Sequence, residues 1–211
     1  MKIIAFVPIK FNSQRLKNKN FLLLNNKPLC QYIFDTLNQV DLIDDIYVYC
    51  SNSKIKEYIP NNIKYLNRDT RLDSNETLGI ELYNDFASKI DADIYILAHA
   101  TSPLIHFNSI NKGLHAILNQ EYDSSLSVKE IRNFVWFNNN TLNYSLNSIP
   151  RTQTIEPIYI ETSGFYIYKK EVLTKLNTRI GNNPYFVKVD YKEAIDIDTE
   201  DDYKLAISIL N

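Results

Sequence analysis

Two short runs of this sequence, IIAFVPI at residues 3–9 and IYILA at residues 94–98, are apolar at every position. A strand without polar alternation has no face to give to water, so it must be covered on both sides. Helices on both faces of a mainly parallel sheet do this, and the segments between the runs can supply them. Residues 28–40 place Leu29, Ile33, Phe34 and Leu37 at helical spacing, and Pro28 suits the first turn, where its missing N–H is no loss. Strands at 46–50 and 63–66, a short helix from Lys54, a longer one over about 75–90 and another over 110–118 continue the alternation, with the central strand running from 93 to 100. After Tyr122 the pattern changes, and DSSLSVKEI, NFVWF and TLNYSL around the turn at 138–140 read as strands and a hairpin. A strand at 164–168, a helix at 170–176, a strand at 185–189 and AIDID at 194–198 lead into a last helix, TEDDYKLAISIL. The expectation is one three-layer α/β domain over residues 1–211.

The same composition excludes several classes. Neither apolar run approaches the roughly 18 to 20 residues that cross a bilayer, and the chain opens on a core strand without a leader pattern, so a soluble, cytoplasmic protein is expected. A net charge of −2 offers no basic surface for a nucleic-acid backbone, so no nucleic-acid partner is expected. Cys30 and Cys50 lack metal-site spacing and read as buried thiols. Only four glycines occur, at 79, 113, 164 and 181, and none belongs to a GxGxxG or GxxxxGK[ST] loop. The abundant Asn, Ile and Lys read as codon bias.

Ligands of open α/β sheets bind beyond the carboxyl ends of the strands, which directs attention to three loops. Residues 8–20, PIKFNSQRLKNKN, set Lys10, Arg15, Lys17 and Lys19 among Asn12, Ser13 and Asn20, a set of cations and amides suited to a polyphosphate, although a solvated basic loop looks the same. HATSPL at 99–104 offers His99 and the hydroxyls of Thr101 and Ser102 after the central strand, or merely a turn that ends it. In IDIDTEDD at 195–202, strand alternation puts Asp196 and Asp198 on one face, about 7 Å apart, where Mg²⁺ with a nucleotide phosphate would relieve their repulsion. Capping of the last helix is the other reading of this segment. A fourth stretch, PRTQTIEPIYIETSG at 150–164, carries Arg151, Gln153, Glu156, Tyr159 and Glu161 and suits a polar, carbohydrate-like ligand, or a polar edge hairpin. Arg68 in NRDTRLD is a further anion contact or part of a surface ion-pair cluster.

Taken in order, these segments resemble the cytidylyltransferases that make CMP-sugars from acidic sugars: the acylneuraminate (CMP-sialic acid) family, its pseudaminic and legionaminic acid relatives and, more distantly, the CMP-Kdo synthetases. Lys19-Asn20 and Pro28-Leu29 match the family's opening signature, ATSPL its Gln-Pro-Thr-Ser-Pro-Leu-Arg, and DIDT its metal-binding Asp-x-Asp. The resemblance implies a Rossmann-like nucleotidyltransferase fold with a small dimerisation hairpin. It implies CTP held by Lys10, Asn12, Ser13, Arg15, Lys19, Asn20 and Arg68, with Asn20 at a base-reading position. Mg²⁺ would be held by Asp196 and Asp198, and an acidic 2-keto sugar would lie near His99, Thr101, Ser102, Arg151, Gln153 and Glu161. Lys10, Arg15, Lys19 and Asp198 would carry catalysis, and residues 130–150, with Phe134, Trp136, Phe137 and Tyr144, would form the arm of a homodimer. Lys10 replaces a family arginine, His99-Ala100 displace the glutamine, and Ile105 stands where the family has arginine. Other readings are another hydroxyl acceptor such as Kdo or a phosphorylated polyol, a metal-dependent glycosyltransferase, and a silent nucleotide-sugar binding protein.

Overall fold

The computed structural model describes residues 1–11, 13 and 15–210. Seven strands form the main sheet: β1 (Ile3–Pro8), β2 (Asp45–Cys50), β3 (Lys64–Asn67), β4 (Ile94–Ala98), β5 (Ser124–Ile131), β6 (Ile158–Lys169) and β7 (Pro184–Lys188). Their order is β7-β5-β6-β4-β1-β2-β3. All run parallel except β6, which is antiparallel to β4 and β5. The helices are α1 (Leu29–Leu37), α2 (Gly79–Lys89), α3 (Phe107–Asn119), α4 (Lys170–Leu176) and α5 (Glu200–Leu210).

The unbroken apolar runs make two cores by strict alternation. From β1, Ile3, Ala5 and Val7 enter one core together with Ile33, Phe34 and Leu37 of α1 and Ile110, Leu114 and Ile117 of α3. Ile4 and Phe6 enter the other with Tyr83 and Phe86 of α2 and Val172 and Leu173 of α4. β4 divides in the same way, Ile94, Ile96 and Ala98 against Tyr95 and Leu97. A third, smaller cluster packs Ala206 of α5 and Ile195 and Ile197 against Leu24 and Leu29. The expected three-layer arrangement is therefore present.

Several expected boundaries move. AIDID is not a strand: Ile195 and Ile197 are buried and the aspartates half-buried, but the segment lies outside the sheet and is bonded instead to the turn after β4, from Ile197 N–H to the Thr101 carbonyl at 2.8 Å. The hairpin after β5 shrinks to a two-residue ladder, Trp136–Phe137 with Asn140–Thr141. Residues 158–164 of the polar stretch at 150–164 are the first half of β6, because the strand continues across an irregularity between Glu161 and Tyr166, while 150–157 lie outside it. Asparagine has a structural use that composition did not suggest. Asn138 and Asn139 (φ 48° and 62°) turn that ladder, Asn25 and Asn26 (φ 44° and 62°) turn a second one, and no described glycine has positive φ. The short polar side chain makes asparagine, after glycine, the residue that best tolerates this left-handed region.

Gly113 marks where α3 lies closest to the sheet. A Cβ there would stand 2.6 Å from Ser125 Oγ, 3.0 Å from Ile167 Cδ1 and 3.2 Å from a ring carbon of Phe165. Gly113→Ala, which would stabilise an open helix, is expected here to destabilise the fold by about 1–3 kcal/mol. Chemical denaturation checks the sign.

Candidate active site

The chain runs from β1 outward to β2 and β3 and then returns to the other side of β1 as β4. The strand order thus reverses between β1 and β4, and a crevice opens beyond their carboxyl ends. A cavity of about 380 Å³ occupies it, walled by Pro8, Lys10, Ser13, Arg15, Lys19 and Asn20 after β1, by His99, Ala100 and Thr101 after β4, and by Asn75. The basic loop and the HATSPL turn, remote in sequence, meet here because their strands are hydrogen-bonded neighbours.

The charges of the loop are organised by the C-terminal segment. Asp198 does not wall the cavity, but one of its oxygens accepts from Lys19 Nζ at 2.5 Å and the other pairs with Arg15 Nη2 at 2.7 Å. Its own backbone is fixed by the start of α5. Asp202 Oδ2 accepts from the Asp198 N–H (3.1 Å), the Thr199 N–H (2.8 Å) and Thr199 Oγ1 (2.7 Å), while the Asp202 N–H returns a bond to Thr199 Oγ1 (3.3 Å). This is a capping box, so the capping reading and the placement of Asp198 hold together. Those bonds, first the Thr199 hydroxyl and with Arg15 assisting, hold the Asp202 carboxyl below its ordinary value of 3.8 against the effect of burial.

His99 sits under the irregularity of β6. Ser163, at φ 58°, presents its carbonyl to His99 Nδ1 at 2.5 Å, and the His99 N–H donates to the Gly164 carbonyl at 3.2 Å. A carbonyl only accepts, so Nδ1 carries the proton and Nε2 is left as an acceptor. Burial pushes the imidazole below its ordinary value; the Ser163 bond opposes this, and Arg179 and Lys19 add to it. The neutral form is therefore the one present at neutral pH.

Other expected residues stand elsewhere. Asn20 is buried and its Nδ2 donates to the Lys10 carbonyl at 3.0 Å, so its amide shapes the loop. Arg68 is 3% exposed, bonded to Asp73 through Nε and Nη2 and to the Ile9 carbonyl through Nη2, and braces the cavity from beneath. Ser102 lies wholly buried under its turn. Arg151 and Gln153 are exposed on the arm and do not wall the cavity. Glu161 accepts from Tyr166 O–H at 2.6 Å and pairs with Arg179 Nη2 at 3.6 Å, outside the wall. Asn12 lies outside the described residues. Asp73 belongs to the NRDTRLD cluster, whose ion-pair reading holds for Arg68 and Asp73. Asn75, Asp202 and Arg179 were not singled out for this site by sequence reasoning; only the Thr-x-x-Asp spacing of a capping box signalled any of them.

A crevice of cations and a carboxylate at the switch of an α/β sheet is a place suited to an anionic ligand. Residues 4–207 match the cytidylyltransferase family, and the chain belongs to it. Among curated proteins it is 24% identical over 134 residues to a 3-deoxy-manno-octulosonate cytidylyltransferase 2 of Hydrogenovibrio crunogenus, covering 62% of this chain and 53% of that protein. It is 23% identical to the N-acylneuraminate cytidylyltransferase of Escherichia coli O18:K1:H7, covering 99% and 52%. The chain thus spans about half the length of these two relatives. A solved structure of a CMP:2-keto-3-deoxy-manno-octonic acid synthetase complexed with CTP shares the fold, with a TM-score of 0.74 and 15% identity over 100% of this chain and 98% of that one. The expected nucleotidyltransferase class is therefore correct.

Asp202→Ala is expected to lower stability by about 1 kcal/mol through loss of the capping box. A group whose pKa is depressed by folding stabilises the fold above its unfolded value and ceases to as pH falls through its folded value. The gap in melting temperature between wild type and variant should hold above the ordinary carboxyl value of 3.8 and close below it. Thermal melts across pH 2–7 (roughly the carboxyl range and above) check this.

Proposed function

We propose that this chain transfers the cytidylyl group of CTP to a hydroxyl of an acidic 2-keto sugar, of the sialic-acid or Kdo type, releasing pyrophosphate. The observation that carries this reading is the convergence of Lys10, Arg15 and Lys19 with Asp198 at the β1/β4 crevice of a chain in the cytidylyltransferase family. In the reaction the sugar hydroxyl gives up its proton to water as its oxygen bonds to the α-phosphorus, the bond from that phosphorus to the bridging oxygen breaks, and pyrophosphate leaves with the electron pair. Little covalent work falls to the protein, whose task is alignment and charge neutralisation.

Lys10, Arg15 and Lys19 would receive the triphosphate, Arg15 and Lys19 turning from Asp198 to phosphate oxygens as the nucleotide enters. Ser13, Asn20 and Asn12 belong to the nucleotide side in this reading, Asn20 by setting the Lys10 backbone. Arg68 acts there through Ile9 and Asp73. Neutral His99, with Nε2 as acceptor, suits a sugar hydroxyl, and Thr101 stands beside it in the wall. Asp196 and Asp198 fit Mg²⁺, since Asp196 Oδ1 is buried without a partner, an oxygen donor suited to a cation. Among the described residues no cluster of three or more His, Cys, Asp or Glu forms a metal site, so phosphate oxygens would complete the shell. When bound, Mg²⁺ would neutralise charge on the phosphates.

A homodimer accounts for the arm. Phe134, Trp136, Phe137, Leu142, Leu146 and Ile149 are all exposed there, a concentration of apolar surface that calls for a cover. A second copy would also give Arg151 and Gln153 a sugar to meet, at the neighbouring cavity. Among the described residues no helix is long and apolar enough to cross a membrane.

The decisive assay is Mg²⁺-dependent pyrophosphate release from CTP with N-acetylneuraminic, legionaminic, pseudaminic and Kdo acids. Release with one sugar is expected, and Asp198→Asn should lower turnover by about two orders of magnitude or more while the melting curve stays cooperative. Silence with every sugar would sink the reading, and full activity in Asp198→Asn would remove that residue from it. Trp136→Glu with Phe137→Glu should convert a sedimenting dimer to monomer.

A further inference from the structure

Lys10 differs from the other two cations of the cavity in what holds it. Arg15 and Lys19 share the Asp198 carboxylate. Lys10 Nζ instead donates to Asn75 Oδ1 at 2.9 Å, and among the described residues it has no ion-pair partner. Its backbone carbonyl accepts from the buried Asn20 Nδ2 at 3.0 Å, so this residue is aimed at both ends by uncharged amides. Lys10 and Asn75 both line the cavity and also a second, larger polar one of about 760 Å³.

Asn75 lies two residues beyond a point where three loops are tied together. It follows the short 3₁₀ segment Thr70–Asp73, whose last carboxylate accepts from Ser51 Oγ at 2.5 Å on one oxygen and from Arg68 Nη2 at 2.6 Å on the other. The same Arg68 nitrogen donates to the Ile9 carbonyl at 3.0 Å. The loops after β1, β2 and β3 are therefore tied at Asp73, two residues before the amide that meets Lys10.

We propose that Asn75 is a positioning residue for Lys10, holding the ammonium at the anion cavity without neutralising it. The proposal rests on the reading that this cavity receives a triphosphate. An aspartate in its place would keep the tether and cancel the charge, while an alanine would free the ammonium and leave the charge intact. Tethering and charge conservation therefore predict opposite orders for the two variants, and Asn75 is exposed enough for both to fold.

The test is calorimetric titration of inorganic tripolyphosphate into wild type, Asn75→Ala and Asn75→Asp in magnesium-free buffer, with melting temperatures as the folding control. Asn75→Asp should weaken binding about tenfold or more and Asn75→Ala only about two- to fivefold, with the Asn75→Asp deficit shrinking as salt is added. Asn75→Ala binding like wild type overturns the proposal whatever Asn75→Asp does, as does Asn75→Asp binding as well as or better than Asn75→Ala, or no binding by wild type. CTP turnover with the sugar panel is read in parallel. The expected order of affinities without turnover leaves the role of Asn75 standing and removes the cytidylyl-transfer reading; turnover with the wrong order does the reverse.

Discussion

β1 has no side turned to water. Ile3, Ile4, Ala5, Phe6 and Val7 are all buried, so the strand needs a neighbour on each edge and a helical layer on each face. Satisfying that requirement places β2 on one side and β4 on the other, and it makes the chain reverse direction across the sheet at β1. The crevice is a consequence of that reversal, since the loops leaving β1 and β4 diverge above the sheet and leave a gap between them. Antiparallel β6 then lines the far side of β4, and its irregularity at Ser163 and Gly164 brings two backbone carbonyls onto His99.

Within the crevice the electrostatics are deliberately unbalanced. Three cations face one engaged carboxylate, which leaves the cavity attractive to an anion while holding Arg15 and Lys19 in order before one arrives. Asp198 is in turn placed by a capping box, so the start of α5 acts as a positioning element for residues far away along the chain. Asp196, alternating with buried Ile195 and Ile197, keeps a buried oxygen without a partner, a cost that a cation would offset.

Turn chemistry was less readable than core chemistry. Alternation and helical spacing are local properties of consecutive side chains, so β1, β4, α1 and α4 were legible within a few residues. The turn at 138–140 was legible between its strand-like runs, but the one at 25–26 was not, because it uses asparagine where the hairpin signal is strongest with glycine, in a chain already rich in asparagine. AIDID was misread as a strand for a related reason: alternation records that one side is buried, and says nothing about whether another strand is beside it.

What the sequence determined by itself is whatever follows from neighbouring residues: the layered α/β class from strands with no polar face, the basic loop, the HATSPL turn and the acidic pair as places for chemistry. Only the tertiary structure decided which of those residues share a cavity and what each one does there. Arg68 turned out to be a buried brace and Asn20 a backbone clamp, while Arg151 and Gln153 were carried out onto the arm. Asn75 came in from just beyond NRDTRLD, a position no motif marked. The physical reason is that a side chain's role depends on which donors and acceptors surround it, and those come from segments as far apart as Lys19 and Asp198, 179 positions distant and 2.5 Å apart.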